Sequence, residues 1–221
     1  MDGTFSGGAQ PVGFQKTSLV DYPGKVAAVI FFPFCNMRCP WCHNGDLILN
    51  GGGRTFIQLG SALAHIEKRR SVLGGVVLSG GEPSLYPQLP ELIAHIKRFG
   101  LSVKLDTNGA APAVLEKLLS LPETRPDYIA MDLKLAPLRY AALMAAPPPA
   151  GTEAETARLV ERSSAIIRAS VIAHEFRSLR LPSPYFTDAD IDALRPLALS
   201  SQWNFRPLAR GNCLDPAWNA Q

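Results

Sequence analysis

Six short apolar runs alternate with five amphipathic stretches, and this order constrains the fold of the chain more than any other feature. The runs at 26–32, 76–79, 102–106, 128–133, 176–181 and 203–207 are brief and rich in β-branched, aromatic or leucine residues, as strands buried on both faces of a parallel sheet are. Between them the stretches 59–70, 88–99, 112–121, 152–168 and 187–199 have helical periodicity. In the second, Leu89, Leu92, Ile93 and Ile96 share one face while Glu91, Lys97 and Arg98 take the other. Thr187-Asp188-Ala189-Asp190 opens the last as an N-cap, with carboxylates beside the positive helix end. Such alternation implies an α/β fold with right-handed crossovers. Six units are too few to close an eight-stranded barrel, so the expected architecture is a partial (β/α)6 TIM-type barrel, open on one side.

In barrels of this type the reactive residues collect at the C-terminal ends of the strands. Cys35, Cys39 and Cys42 follow the first expected strand, and Gly80-Gly81-Glu82-Pro83 follows the second. Asp106-Thr107-Asn108-Gly109 closes the third, Asp132-Leu133-Lys134 the fourth, and Arg177 lies in the fifth. Three thiolates can hold three irons of a four-iron cubane and leave the fourth iron open to a small molecule, by the open-site logic that separates catalytic from structural zinc. A Cys3His zinc knot with His43 is the competing reading, although neighbouring residues rarely both reach one tetrahedral ion. Cys213 reads as a small buried hydrophobe. His65 and His95 fall in expected helices, and His174 has no assigned role.

Composition narrows the setting. With 221 residues and 47% hydrophobic content the chain can bury a sizeable core, and a single domain over 13–221 is expected behind a glycine-rich, mobile segment 1–12. A net charge of +3 with dispersed Lys and Arg gives no argument for nucleic acid or a membrane surface. No apolar run approaches a membrane span, and the first residues lack the order of a signal peptide. A cytoplasmic setting is expected, where thiols stay reduced and available to metal.

The C-x3-C-x2-C spacing, with Trp41 before the last cysteine, resembles the signature of the radical S-adenosylmethionine (SAM) superfamily, and Gly80-Gly81-Glu82-Pro83 stands where that superfamily carries its second motif. The resemblance implies a [4Fe-4S] cluster on Cys35, Cys39 and Cys42, with SAM beside it. It also implies that the two glycines let backbone approach the methionine ammonium, that Asp106 accepts from the same group, and that Lys134 meets the carboxylate. Asp132 then serves the ribose hydroxyls, Arg177 adds a donor, and Trp41 packs near the adenine. Glu82 and Asn108 belong to the same expected set.

Residues 13–25, Cys42-His43-Asn44, Met131-Asp132-Leu133-Lys134 and His174-Glu175-Phe176-Arg177 together resemble the activating proteins of anaerobic ribonucleoside-triphosphate reductase, a group of glycyl-radical-enzyme activases. That implies a glycyl-radical partner and an electron donor of the flavodoxin or ferredoxin type. Phe34 departs from the group, which usually has glycine before the first cysteine, and 181–185 departs from its usual Val-Val-Pro-Gly turn. A radical SAM enzyme acting on a small molecule, such as a deazapurine-forming synthase, remains an alternative, as does a non-catalytic iron–sulfur redox protein.

Overall fold

The computed structural model describes residues 5–49, 56–208, 211 and 213–219. Every expected strand is present. β2 (Ala27–Phe32), β4 (Gly75–Gly80), β5 (Ser102–Thr107), β6 (Tyr128–Asp132), β7 (Ala173–Arg180) and β8 (Trp203–Pro207) pair in that order, all parallel. The crossovers hold α2 (Leu59–Lys68), α3 (Leu89–Arg98), α4 (Pro112–Ser120), α5 (Glu153–Ala169) and α6 (Asp188–Ala198). These six parallel strands and five crossover helices form the expected partial barrel. The cysteine loop leads into α1 (Gly45–Leu49), which the apolar pattern did not reveal.

Two further strands extend the sheet to eight. β1 (Pro11–Ser18) pairs antiparallel with β2, and β3 (Ile57–Gln58) pairs antiparallel with β1, giving the order β3-β1-β2-β4-β5-β6-β7-β8. Pro11 and Val12 were expected in a mobile N-terminal segment but belong to the sheet. Val12 is fully buried and registers against Ile57, and burial of such a side chain contributes about 1.5–3 kcal/mol. Further back, Gly8 accepts the Gly60 amide at 2.8 Å. Residues 1–4 of that segment lie outside the described residues.

Alternation along each strand sorts side chains between two faces. Ile30, Leu78, Leu105, Met131 and Phe176 face outward and pack with the helices in the main core. Inward, Val29 and Val77 meet Tyr22, which plugs the floor beside Tyr128. Higher on the same inner face the aliphatic residues give way to Ser79, Asp106, Asp132 and Arg177. No helix among the described residues is long and apolar enough to cross a membrane.

Candidate active site

The cysteine loop, residues 33–44, is shaped by backbone bonds to three neighbouring segments. Phe34 has φ +69°, in the left-handed region that side chains avoid. Its carbonyl accepts the Glu82 amide and that of Phe32 accepts the Gly81 amide, both at 2.8 Å. The ends of β2 and β4 therefore lie in direct contact. A Cβ on Gly80, where φ is +108°, would stand 2.5 Å from the Phe32 nitrogen, and one on Gly81 would run into the Phe34 carbonyl. Sequence reasoning gave this space to a ligand. The groups that fill it are the backbone of β2 beside Gly80 and that of the cysteine loop beside Gly81, and the Gly80 carbonyl accepts from Asn44 Nδ2 at 2.7 Å.

A second segment supports the loop from beyond β6, where the Leu143 carbonyl accepts the Arg38 amide (2.7 Å) and Asn36 accepts that of Ala145 (2.8 Å). The third support has no sequence motif that could have announced it. Leu214 donates its amide to Cys42 and Asp215 to Pro40, both at 2.9 Å, and His43 Nδ1 lies 3.1 Å from the Gly211 carbonyl. Trp41 is buried against Trp218 at 5.4 Å between ring centroids, and Trp218 packs in turn on Tyr185 at 4.4 Å. Gly211 with residues 213–219 thus forms a strap across the last two cysteines.

Glu82 and Asn108 use their polar atoms within the chain. Glu82 Oε1 accepts from Thr107 Oγ1 (2.8 Å) and the Ser84 amide (3.2 Å), and Oε2 accepts the Asn108 amide (2.7 Å). Burial pushes the Glu82 carboxyl up, opposed by these donors. Asn108 donates Nδ2 to Asn36 Oδ1 at 2.7 Å and accepts the Ala110 amide at 2.9 Å. Together they clamp the ends of β4 and β5 to the cysteine loop.

The remaining charges form one network. Arg177 gives Nε and Nη2 to Asp132 Oδ1, each at 3.0 Å, and approaches Asp106 Oδ1 at 3.5 Å with Nη1. Lys134 Nζ reaches Asp132 Oδ2 at 3.1 Å. Burial would raise the Asp132 carboxyl, but Lys134 and Arg177 outweigh it and hold the group at about 2. Burial works against the Lys134 ammonium as well, yet Asp132 and then Cys39 keep its pKa above the usual lysine range. Asp106 accepts from Ser79 Oγ at 2.8 Å and meets Lys104 Nζ. Sequence reasoning missed Lys104, although a two-residue spacing puts it on the same strand face as Asp106.

All of the expected site residues line one cavity of about 440 Å³, together with Asp21, His43 and Arg206. The four cysteines are free thiols. Burial raises Cys35, Cys42 and Cys39, the last to about 12, while the Lys134 ammonium pulls each back. A coordinated metal would displace those protons outright. No three His, Cys, Asp or Glu side chains among the described residues are close enough to share one ion. Cys35, Cys39 and Cys42 all border the one cavity, where three thiolates could hold three irons of a polynuclear cluster.

The sequence profile described as the radical SAM superfamily matches residues 29–172. Among curated relatives, a putative glycyl-radical enzyme activating enzyme of Methanocaldococcus jannaschii is 37% identical over 124 residues, covering 55% of this chain and 49% of that protein. The pyruvate formate-lyase-activating enzyme of Clostridium pasteurianum is 34% identical over 125 residues, covering 54% and 50%. The matched stretch thus spans about half the length of these relatives. Among solved structures, TYW1 with a bound lysine-pyruvate adduct superposes with a TM-score of 0.59 at 16% identity, covering 84% of this chain and 66% of that one, a likeness of fold. On the profile match, which spans more than half of its length, the chain belongs to the radical SAM superfamily, whose cofactors are a [4Fe-4S] cluster and S-adenosylmethionine.

Proposed function

We propose that this protein is a glycyl-radical-enzyme activase that cleaves SAM reductively at a cluster held by Cys35, Cys39 and Cys42. The observation that carries the reading is the single cavity uniting the three thiols, the charges on β5, β6 and β7, and Asp21. Asp21 comes from the 13–25 stretch that resembles activases, and the names of the M. jannaschii and C. pasteurianum relatives support the same class.

When bound, the two cofactors supply a 5′-deoxyadenosyl radical that takes a hydrogen from a glycine of the partner. The chain's own residues bind and orient. Lys134, at the cysteine-loop side of the network, offers an ammonium to the methionine carboxylate. Asp106 turns toward the methionine ammonium, and Asp132, held by Arg177, accepts from ribose hydroxyls. Trp41 packs close to the adenine, and its burial against Trp218 excludes water from the cluster side. Among the described residues the sheet ends at β3 and β8 without closing on itself, and a barrel open in this way suits entry of a protein loop better than burial of a small molecule. The partner in this reading is an anaerobic ribonucleoside-triphosphate reductase, and the electron comes from a flavodoxin or ferredoxin.

The test is anaerobic reconstitution followed by incubation with reductant, SAM and an anaerobic ribonucleotide reductase of the same genome. Four irons per chain, a glycyl-radical doublet in electron spin resonance and about one 5′-deoxyadenosine per radical are expected. Stoichiometric zinc without iron would end the radical SAM chemistry. Formation of 5′-deoxyadenosine with no protein radical on any glycyl-radical partner would replace the activase by a small-molecule enzyme.

A further inference from the structure

The inner face of the barrel carries a nearly fully buried cation, Lys104, that the expected site does not use. Lys104 lies on β5, in register with Val77 of β4 and Tyr128 of β6, and its side chain is 2% exposed. An aliphatic residue would pack at this level without burying a charge, and replacing buried ion pairs by apolar groups is often neutral or stabilising. Its ammonium meets Asp106 Oδ1, and Asp106 rather than Lys104 borders the cavity.

The neighbouring distances show what this contact decides. Arg177 bonds Asp132 twice at 3.0 Å and comes no closer than 3.5 Å to Asp106. Ser79 takes Asp106 Oδ2, so Lys104 is the nearest counter-charge of Asp106, and Arg177 is left to Asp132. Without Lys104, two carboxylates would compete for one guanidinium, and Asp106 would turn toward Arg177 and away from the cavity.

We propose that Lys104 is a positioning residue for SAM binding, acting through Asp106 and, by releasing Arg177, through Asp132. This rests on the reading that the cavity binds SAM. The expected result for Lys104→Met is four irons per chain as in the wild type, with the dissociation constant for SAM raised about tenfold or more and a smaller change of the cluster's electron spin resonance at a fixed SAM concentration.

Coupling separates this role from a merely structural one. Lys104→Met/Asp106→Asn should bind SAM within about twofold of Asp106→Asn alone, because the residue through which Lys104 acts has already been neutralised. Should Lys104→Met fail to fold, the double variant, which removes both charges of the buried pair, carries the test against Asp106→Asn. Wild-type affinity in Lys104→Met, or a further tenfold loss in the double variant relative to Asp106→Asn, would overturn the proposal. Wild-type protein with four irons and no measurable SAM binding would instead overturn the reading of the cavity itself.

Discussion

Gly81 shows how one position can serve the protein before it serves a ligand. Its missing Cβ leaves room for the Phe34 carbonyl, so a side chain there pushes on the residue that precedes Cys35. Gly81→Val should therefore lower the iron retained after reconstitution to below about half of the wild-type content, since buried backbone with no room to move costs more than a flexible side chain would. Iron and sulfide analysis measures this, and full iron with weakened SAM binding alone would show that the glycine serves only the ligand. The motif residues were legible as a site because chemistry restricts their types and spacing. Their partners were not. Glu82 and Asn108 read as ligand contacts, but Glu82 caps the turn at Ser84 and bonds Thr107 across the ends of β4 and β5, and Asn108 bonds Asn36 of the cysteine loop, a contact that only the fold creates. Lys104 was invisible for the opposite reason, since a lysine between Val103 and Leu105 resembles any solvent-facing strand residue until the barrel curves around it.

Among the elements, α6 has the most explicit local code. Thr187 and Asp190 form a capping box, with the Thr187 amide donating to Asp190 Oδ2 at 3.0 Å. The same carboxylate accepts from Arg139 Nη1 at 2.7 Å and from the Ala136 amide at 2.9 Å, which ties the helix to the segment after β6. Asp190→Ala should destabilise the fold by about 1–3 kcal/mol through loss of a cap and of a charge-assisted bond, read as a lowered urea midpoint, with a smaller loss for Asp190→Asn. A midpoint equal to wild type would mean that the cap is redundant. Thr187 and its acidic neighbours were readable in the sequence, as were the five long helices, because periodicity over nine or more residues is a strong signal. β1 and β3 were not, since Gln15-Lys16-Thr17 is exposed and breaks the apolar pattern, and two residues at Ile57–Gln58 carry no period at all.

For the whole molecule, pH marks the limits of stability. The carboxyls of Asp132 and Asp190 lie below the ordinary carboxylate range: burial opposes this in both, and Lys134 with Arg177 in one, and backbone amides with Arg139 in the other, prevail. A carboxylate depressed by folding contributes stability above its unfolded value of about 4, and that contribution is lost as pH falls through its folded value, about 2 for Asp132. Tyr22 on the barrel floor moves the other way, to about 12, chiefly through burial and then the charge of Asp127. Its contribution is intact below about pH 10 and disappears above it. Denaturant midpoints should accordingly fall below about pH 4 and again above about pH 10, and Asp132→Asn should flatten the acid limb. An acid limb unchanged in that variant would place its cause elsewhere.

The strap has a consequence in time. Gly211 meets His43 across 168 residues of sequence, and ribosomes add roughly 5–20 residues per second. During synthesis the last two cysteines therefore stand without the strap for roughly ten to thirty seconds before that segment exists. Oxidants and stray metal ions have that interval in which to reach them. Exclusion of oxygen and a supply of iron therefore protect this protein most while it is still being translated.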